Sequence, residues 1–167
     1  MNAIHKACAA LVLAAASPAF AQTNDPAMID QAYDSRVMAC LDANRDNETI
    51  TPQSRQAACE ANLVETNAYY ATRVTPGQHE MNVYYFHRGF LQLEIGGAFL
   101  KQDTRRSARV CQQTELAWLD LSLIVDSASP DAYQANYVSM RGGIAGAVKV
   151  CRSEFGTPAG APPLPPS

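Results

Sequence analysis

Few of the marks of a reaction centre are present in this sequence. It has no Gly-x-Ser-x-Gly elbow and no glycine-rich phosphate loop closing on Lys-Ser or Lys-Thr. It has no Cys-x-x-Cys, which argues against a thioredoxin-like redox pair, and no Cys-x-x-Cys-His, which argues against attached haem. Histidine is scarce: beyond His5 there are only His79 and His87, without the tight spacing that a metal pair on one helix face needs. Asn-Gly and Asp-Gly, the strongest short hairpin signals, are also missing. Proline is absent between Pro76 and Pro130 and again between Pro130 and Pro158. These gaps leave room for long helices.

The N-terminus reads as a secretory leader. Lys6 supplies positive charge, residues 7–16 are apolar, and Ala19-Phe20-Ala21 is a small-x-small cleavage site that places the mature start at Gln22. The apolar stretch is well short of the roughly 20 residues a bilayer span requires. Cys8 lies at the start of this stretch, so a lipoprotein signal is not read. Losing Lys6 takes the net charge from −3 to −4. An acidic, exported chain is a poor nucleic-acid ligand, and no transmembrane anchor is expected in the mature form. The alanine-rich leader points to a periplasmic or secreted bacterial protein. Asn47-Glu48-Thr49 matches a glycosylation sequon, a triplet common by chance.

Helix starts are written as a capping residue followed by proline: Asp25-Pro26, Thr51-Pro52, Thr75-Pro76 and Ser129-Pro130. A fifth start is placed at Asp103 or Thr104. The expectation is an all-α, disulfide-bridged bundle over 22–155, with helices near 26–43, 52–73, 76–101, 104–126 and 130–154. Tyr133, Tyr137, Met140, Ile144, Ala147, Cys151 and Phe155 mark a buried stripe on the last of these. Ala57, Ala61, Val64, Ala68 and Ala71 suggest a small-residue packing face on the second. The third is apolar on most sides and should be central. The tail 156–167, GTPAGAPPLPPS, reads as disordered or extended.

Without the leader four cysteines remain, which fits two disulfides in an oxidising compartment. If the first two helices turn back on each other, Cys40 and Cys59 come level. Cys111 and Cys151 are then left to bridge the last two, although they lie at unequal distances from the turn between them.

Four features compete as sites. Residues 42–53, DANRDNETITPQ, resemble an EF-hand calcium loop, with Asp42, Asn44 and Asp46 in the first three ligand positions. Gln53 stands where the bidentate glutamate belongs and Asn47 where glycine belongs, so an Asp/Asn-rich turn is the simpler reading. Glu80, His87, Glu94 and Lys101 recur every seven residues. With Arg88 they could line a pocket for a small ligand or a hydrolytic reaction. A seven-residue step rises about 10.5 Å, too far for His87 and Glu94 to share one ion, and a narrow solvated face is the plainer account. Lys101, Arg105, Arg106 and Arg109 form a basic stripe able to dock an anionic partner or simply to face solvent. The pairs Gly96-Gly97 and Gly142-Gly143, with Gly146, predict that the third and fifth helices cross closely there.

No catalytic residue, metal site or cofactor is assigned. The sequence is read as that of a non-enzymatic interaction protein (an inhibitor, chaperone or envelope accessory) that binds an envelope or secreted protein. Its contact surfaces are expected at the Lys101–Arg109 stripe and at tyrosines among Tyr33, Tyr69 and Tyr70.

Overall fold

The computed structural model describes Cys40 and residues 50–72 and 77–165. They form helix α1 (Pro52–Ala71), α2 (Gln78–Asp103), α3 (Ala108–Ser122), a short 3-10 turn (Asp126–Ala128) and α4 (Asp131–Phe155). No strand occurs among the described residues, so the all-α expectation holds. The leader, the helix expected at 26–43 apart from Cys40, Tyr33, the loop positions 42–49 and Thr75-Pro76 lie outside the described residues.

Thr51 caps α1 as its sequence promises: the Ser54 N–H donates to Thr51 Oγ1 at 3.1 Å, and Pro52 takes the first helical position. At α2 the cap comes from within the helix. The Gly77 N–H donates to the Glu80 carboxylate at 3.0 Å, so the first member of the seven-residue stripe is a helix cap.

The start expected at Asp103 or Thr104 lies four residues later. Asp103 is instead the last residue of α2, and Thr104 follows with a left-handed φ of 56°. The Asp103 carboxylate accepts from Ser107 Oγ and from Arg109 across the connection, which ties the end of α2 to the beginning of α3.

The helices pack as sequential antiparallel neighbours: α1 on α2, α2 on α3, α3 on α4. Bonds at opposite ends set each register. Gln102 reaches Gln56 (2.9 Å) while Tyr84 reaches Asn67 (3.0 Å) across α1 and α2. Across α3 and α4, Arg106 pairs with Glu154, Glu115 with Arg152 and Leu121 O with Arg141. In that register the first two turns of α4 overhang the end of α3. They pack instead on the start of α2, through His79 against Tyr133 (ring centroids 4.7 Å) and Phe86 against Tyr137 (5.2 Å). The overhang absorbs the unequal distances of Cys111 and Cys151 from the turn, and their Cα atoms lie 5.4 Å apart in a disulfide. Cys40 and Cys59 form the other, with Cα atoms 4.6 Å apart.

The core centres on α2, as its all-round apolarity requires: Phe90, Leu91 and Ile95 pack with Trp118, Leu121, Tyr137 and Val148. The α4 stripe is buried at Tyr137, Met140, Ile144 and Cys151, with Val148 in place of the expected Ala147, while Tyr133 is half-buried and Phe155 half exposed.

Two packing expectations are corrected. On α1 the small residues Ala57, Ala61, Val64, Ala68 and Ala71 all face outward, and the buried face is Arg55, Cys59, Asn62, Thr66 and Tyr70. Polar groups can occupy a buried face when they are bonded there. Asn62 Oδ1, for example, accepts from the Cys40 N–H at 2.8 Å. The glycine pairs do not make a crossing of α2 with α4. A Cβ on Gly96 would meet Gln113 of α3 at 3.2 Å, and one on Gly97 or Gly142 would meet nothing within 4 Å. The tightest approach is at Gly89, under Leu121 and Ala117 of α3, so both close contacts of α2 glycines are with α3.

Candidate functional site

The expected site residues do not converge on one place. Glu80 caps α2, His87 is buried at 3 % exposure, Glu94 is half-buried and Lys101 is exposed. The stripe is therefore not a uniform solvated face. Arg88 is turned away along the helix: its Nη1 donates to Tyr84 Oη at 3.0 Å, and its Nε lies 3.3 Å from Asp120 Oδ2.

The basic stripe is partly spent on the chain itself. Arg106 pairs with Glu154, and Arg109 binds Asp103 and covers the Phe99 ring at 4.3 Å, leaving Lys101 and Arg105 exposed. The Arg109 guanidinium and the Ser107 hydroxyl hold the Asp103 carboxyl at about 2. Tyr69 is half-buried and Tyr70 is buried, stacked on Tyr84 at 4.1 Å, so Tyr70 offers no exposed contact. Among the described residues no cluster of three His, Cys, Asp or Glu side chains could hold a metal ion.

Two polar clusters went unread in the sequence. In the first, Asp120 of α3 is 2 % exposed and accepts from Gln92 Nε2 at 2.9 Å. Burial pushes its carboxyl up to about 6, against the opposing pull of Arg88 and Gln92. The available sequence signal is that Asp120 interrupts an otherwise mostly apolar run from Trp118 to Val125.

In the second, Ser129 Oγ lies 2.9 Å from His79 Nδ1 and accepts from Asn82 Nδ2 at 2.8 Å. A serine beside a histidine has the outline of a nucleophile and its base. Here the serine is buried, and Asn82 and Gln134 bond it and its carbonyl into the α3–α4 connection. Its neighbour Tyr137 has its phenol pushed up to about 12, chiefly by burial. Through Asn82 and Gln134 the cluster serves as a clamp on the connection, while the buried Tyr137 hydroxyl beside it has no hydrogen-bond partner among the described residues.

The open concavity lies elsewhere, where the C-terminal tail folds back. Gly156, with φ 85°, ends α4. A turn follows in which the Ala161 N–H donates to Pro158 O at 3.1 Å and Gly160 supplies φ 73°. The chain then crosses α3. The Trp118 indole N–H donates to Pro162 O at 3.3 Å, and Leu164 packs on the core. The tail that composition marks as disordered or extended is thus seated on the bundle through Leu164.

Between tail and helices remains a cleft of about 310 Å³, floored by the Cys111–Cys151 disulfide and walled by Leu116, Leu119 and Phe155. Leu116, Leu119 and Leu123 recur along one side of α3 at 37 %, 41 % and 47 % exposure. The one acid at the cleft, Glu115, is neutralised by two hydrogen bonds from Arg152 (2.8 and 2.9 Å). No helix among the described residues is long and apolar enough to cross a membrane. Comparison with protein-family profiles, with curated proteins and with solved structures finds no match.

Proposed function

We propose that this chain is a periplasmic or secreted, non-enzymatic binding protein that holds an envelope or secreted partner by apolar contacts at the α3–α4 cleft. The observation that carries the reading is the pair Leu116 and Leu119, exposed in the cleft with Phe155, and the row they continue along α3 to Leu123. Leucines placed outward on a helix that already buries another face have no role in the core, and contiguous exposed apolar surface marks interaction sites. The disulfide beneath gives that surface a rigid base, which lowers the cost of ordering it on binding. Asp120 and Ser129, the polar groups closest to a catalytic outline, are both buried and bonded to neighbouring side chains, away from the open cleft, which favours binding over catalysis.

The test is retention of partners on immobilised chain from an envelope extract. A partner held by the wild type and by Arg105→Glu, and lost from Leu119→Asp, is the expected result. Partners that ignore Leu119→Asp but disappear with Arg105→Glu would return the contact to the basic stripe.

A further inference from the structure

We infer that the face of α3 around Trp118 is a receptor for proline-rich segments of other proteins, and that the chain's own tail sits on it as an intramolecular competitor. The inference rests on reading the cleft as a binding site and names its partner class. The tail supplies the ligand chemistry directly, as Ala161-Pro162-Pro163-Leu164-Pro165. A run of prolines has no backbone N–H and offers only carbonyl acceptors, so its receptor must bring donors and an apolar face. Trp118 brings the donor: its indole N–H bonds Pro162 O from a ring otherwise held in the core, 3 % exposed. Two residues on, Leu164 provides the apolar anchor. An indole donor aimed at a proline carbonyl, with an apolar anchor two residues on, matches how extended proline-rich chains are recognised.

The seat is replaceable. A permanently docked segment is packed along its length to the density of a protein interior, yet beside this seat the stretch from Gly156 to Pro162 borders an open cleft of about 310 Å³. Residues 157–160, Pro163 and Pro165 are exposed, so the hold depends on Trp118 and Leu164. What favours the tail is tethering. Only a short link joins Phe155 to Pro162, which gives an effective concentration on the order of millimolar.

Trp118 is the sole tryptophan, so its fluorescence reports on this seat alone. The full-length Leu164→Asp variant, its helicity checked by circular dichroism, should show red-shifted emission as its tail leaves. A synthetic peptide of residues 157–167 should reverse the shift saturably. On wild-type chain the same peptide should bind at least about tenfold more weakly, because the tethered tail competes. Trp118→Phe in the Leu164→Asp background keeps an aromatic ring, though a smaller one, and removes the donor; with its helicity again checked by circular dichroism, calorimetry should find the peptide affinity lost.

Three results overturn the inference. One is unchanged emission in Leu164→Asp. Another is equal binding of a peptide with its prolines replaced by alanine, which would make the groove a general apolar surface. The third is a wild-type dimer held by exchanged tails, which would make a second copy the occupant. If the peptide fails while Leu119→Asp still releases a partner, the cleft binds another kind of chain and the broader reading stands.

Discussion

Asn82 and Val125 are bonded twice, side chain to backbone. Asn82 Nδ2 donates to Val125 O at 2.7 Å, and the Val125 N–H donates to Asn82 Oδ1 at 3.0 Å. A second donation from Nδ2 reaches Ser129 Oγ, so one fully buried amide holds both ends of the 3-10 turn between α3 and α4. Asn82→Ala strips partners from several buried or half-buried groups at once. Each such group costs roughly 1–3 kcal/mol when left unmet. A loss of about 3 kcal/mol is expected in urea unfolding. A loss below about 0.5 kcal/mol, the level of an indifferent surface change, would remove the clamp from the account.

Asp120 makes stability depend on pH in the direction opposite to most carboxylates. Its folded value of about 6 stands above the ordinary 3.8, because burial disfavours the charged form. The folded state therefore binds the proton more tightly, and this group's contribution falls as pH rises from about 4 through 6. A shift of about two units corresponds to roughly 3 kcal/mol. Asp120→Asn cannot titrate, so the variant should gain on the wild type by about 2–3 kcal/mol between pH 4 and 7.5. Paired urea titrations at those two pH values check it; a constant difference between the proteins would mean the carboxyl is not so perturbed.

The legible parts of this chain are those written in local chemistry. Thr51-Pro52 announces a cap because the cap needs only a hydroxyl and a missing N–H, both encoded in adjacent residues. The two disulfides follow from a cysteine count and helix placement. The α1 face was misread because apolar periodicity sees Ala57, Ala61 and Val64 but not a buried Asn62 whose partner is the Cys40 backbone. The α3 leucines carry no mark of exposure in sequence, since helix α3 has apolar residues on two sides and only the position of α4 decides which is covered. The cleft was least legible of all. One wall is a tail whose composition argues for disorder, and its seat depends on Trp118 reaching Pro162 across 44 residues of chain.

The bridge from Cys111 to Cys151 closes the longer loop, with a sequence separation of 40 against 19 for Cys40–Cys59. By the chain-entropy relation it contributes about 4 kcal/mol against about 3 for the shorter one. Replacing Cys111 and Cys151 together by alanine should lower stability by about that larger amount and should also loosen the cleft floor. Urea midpoints of the two double variants give the order. If removing the Cys40–Cys59 bridge proves costlier, strain or residual structure in the unfolded chain outweighs loop length.

Two glycines in helices should respond to alanine in opposite directions. At Gly142 of α4 an added Cβ meets nothing within 4 Å, so alanine restores helix propensity and should stabilise by about 0.5–1 kcal/mol. Gly89 of α2 lies under α3, where the same Cβ would stand 3.0 Å from Leu121 Cγ and 3.3 Å from the Ala117 carbonyl oxygen. The contact is with a branch carbon and a backbone atom of a packed helix, neither of which yields cheaply. Overpacking of this kind costs roughly 1–3 kcal/mol, enough to exceed the propensity gain of about 1 kcal/mol. Gly89→Ala should therefore be neutral to destabilised and Gly89→Val strongly destabilised, while Gly142→Ala melts higher than the wild type. Thermal melts of the three variants decide it. A stabilised Gly89→Ala would mean that α2 and α3 are not held as closely as Leu121 and Gly89 place them.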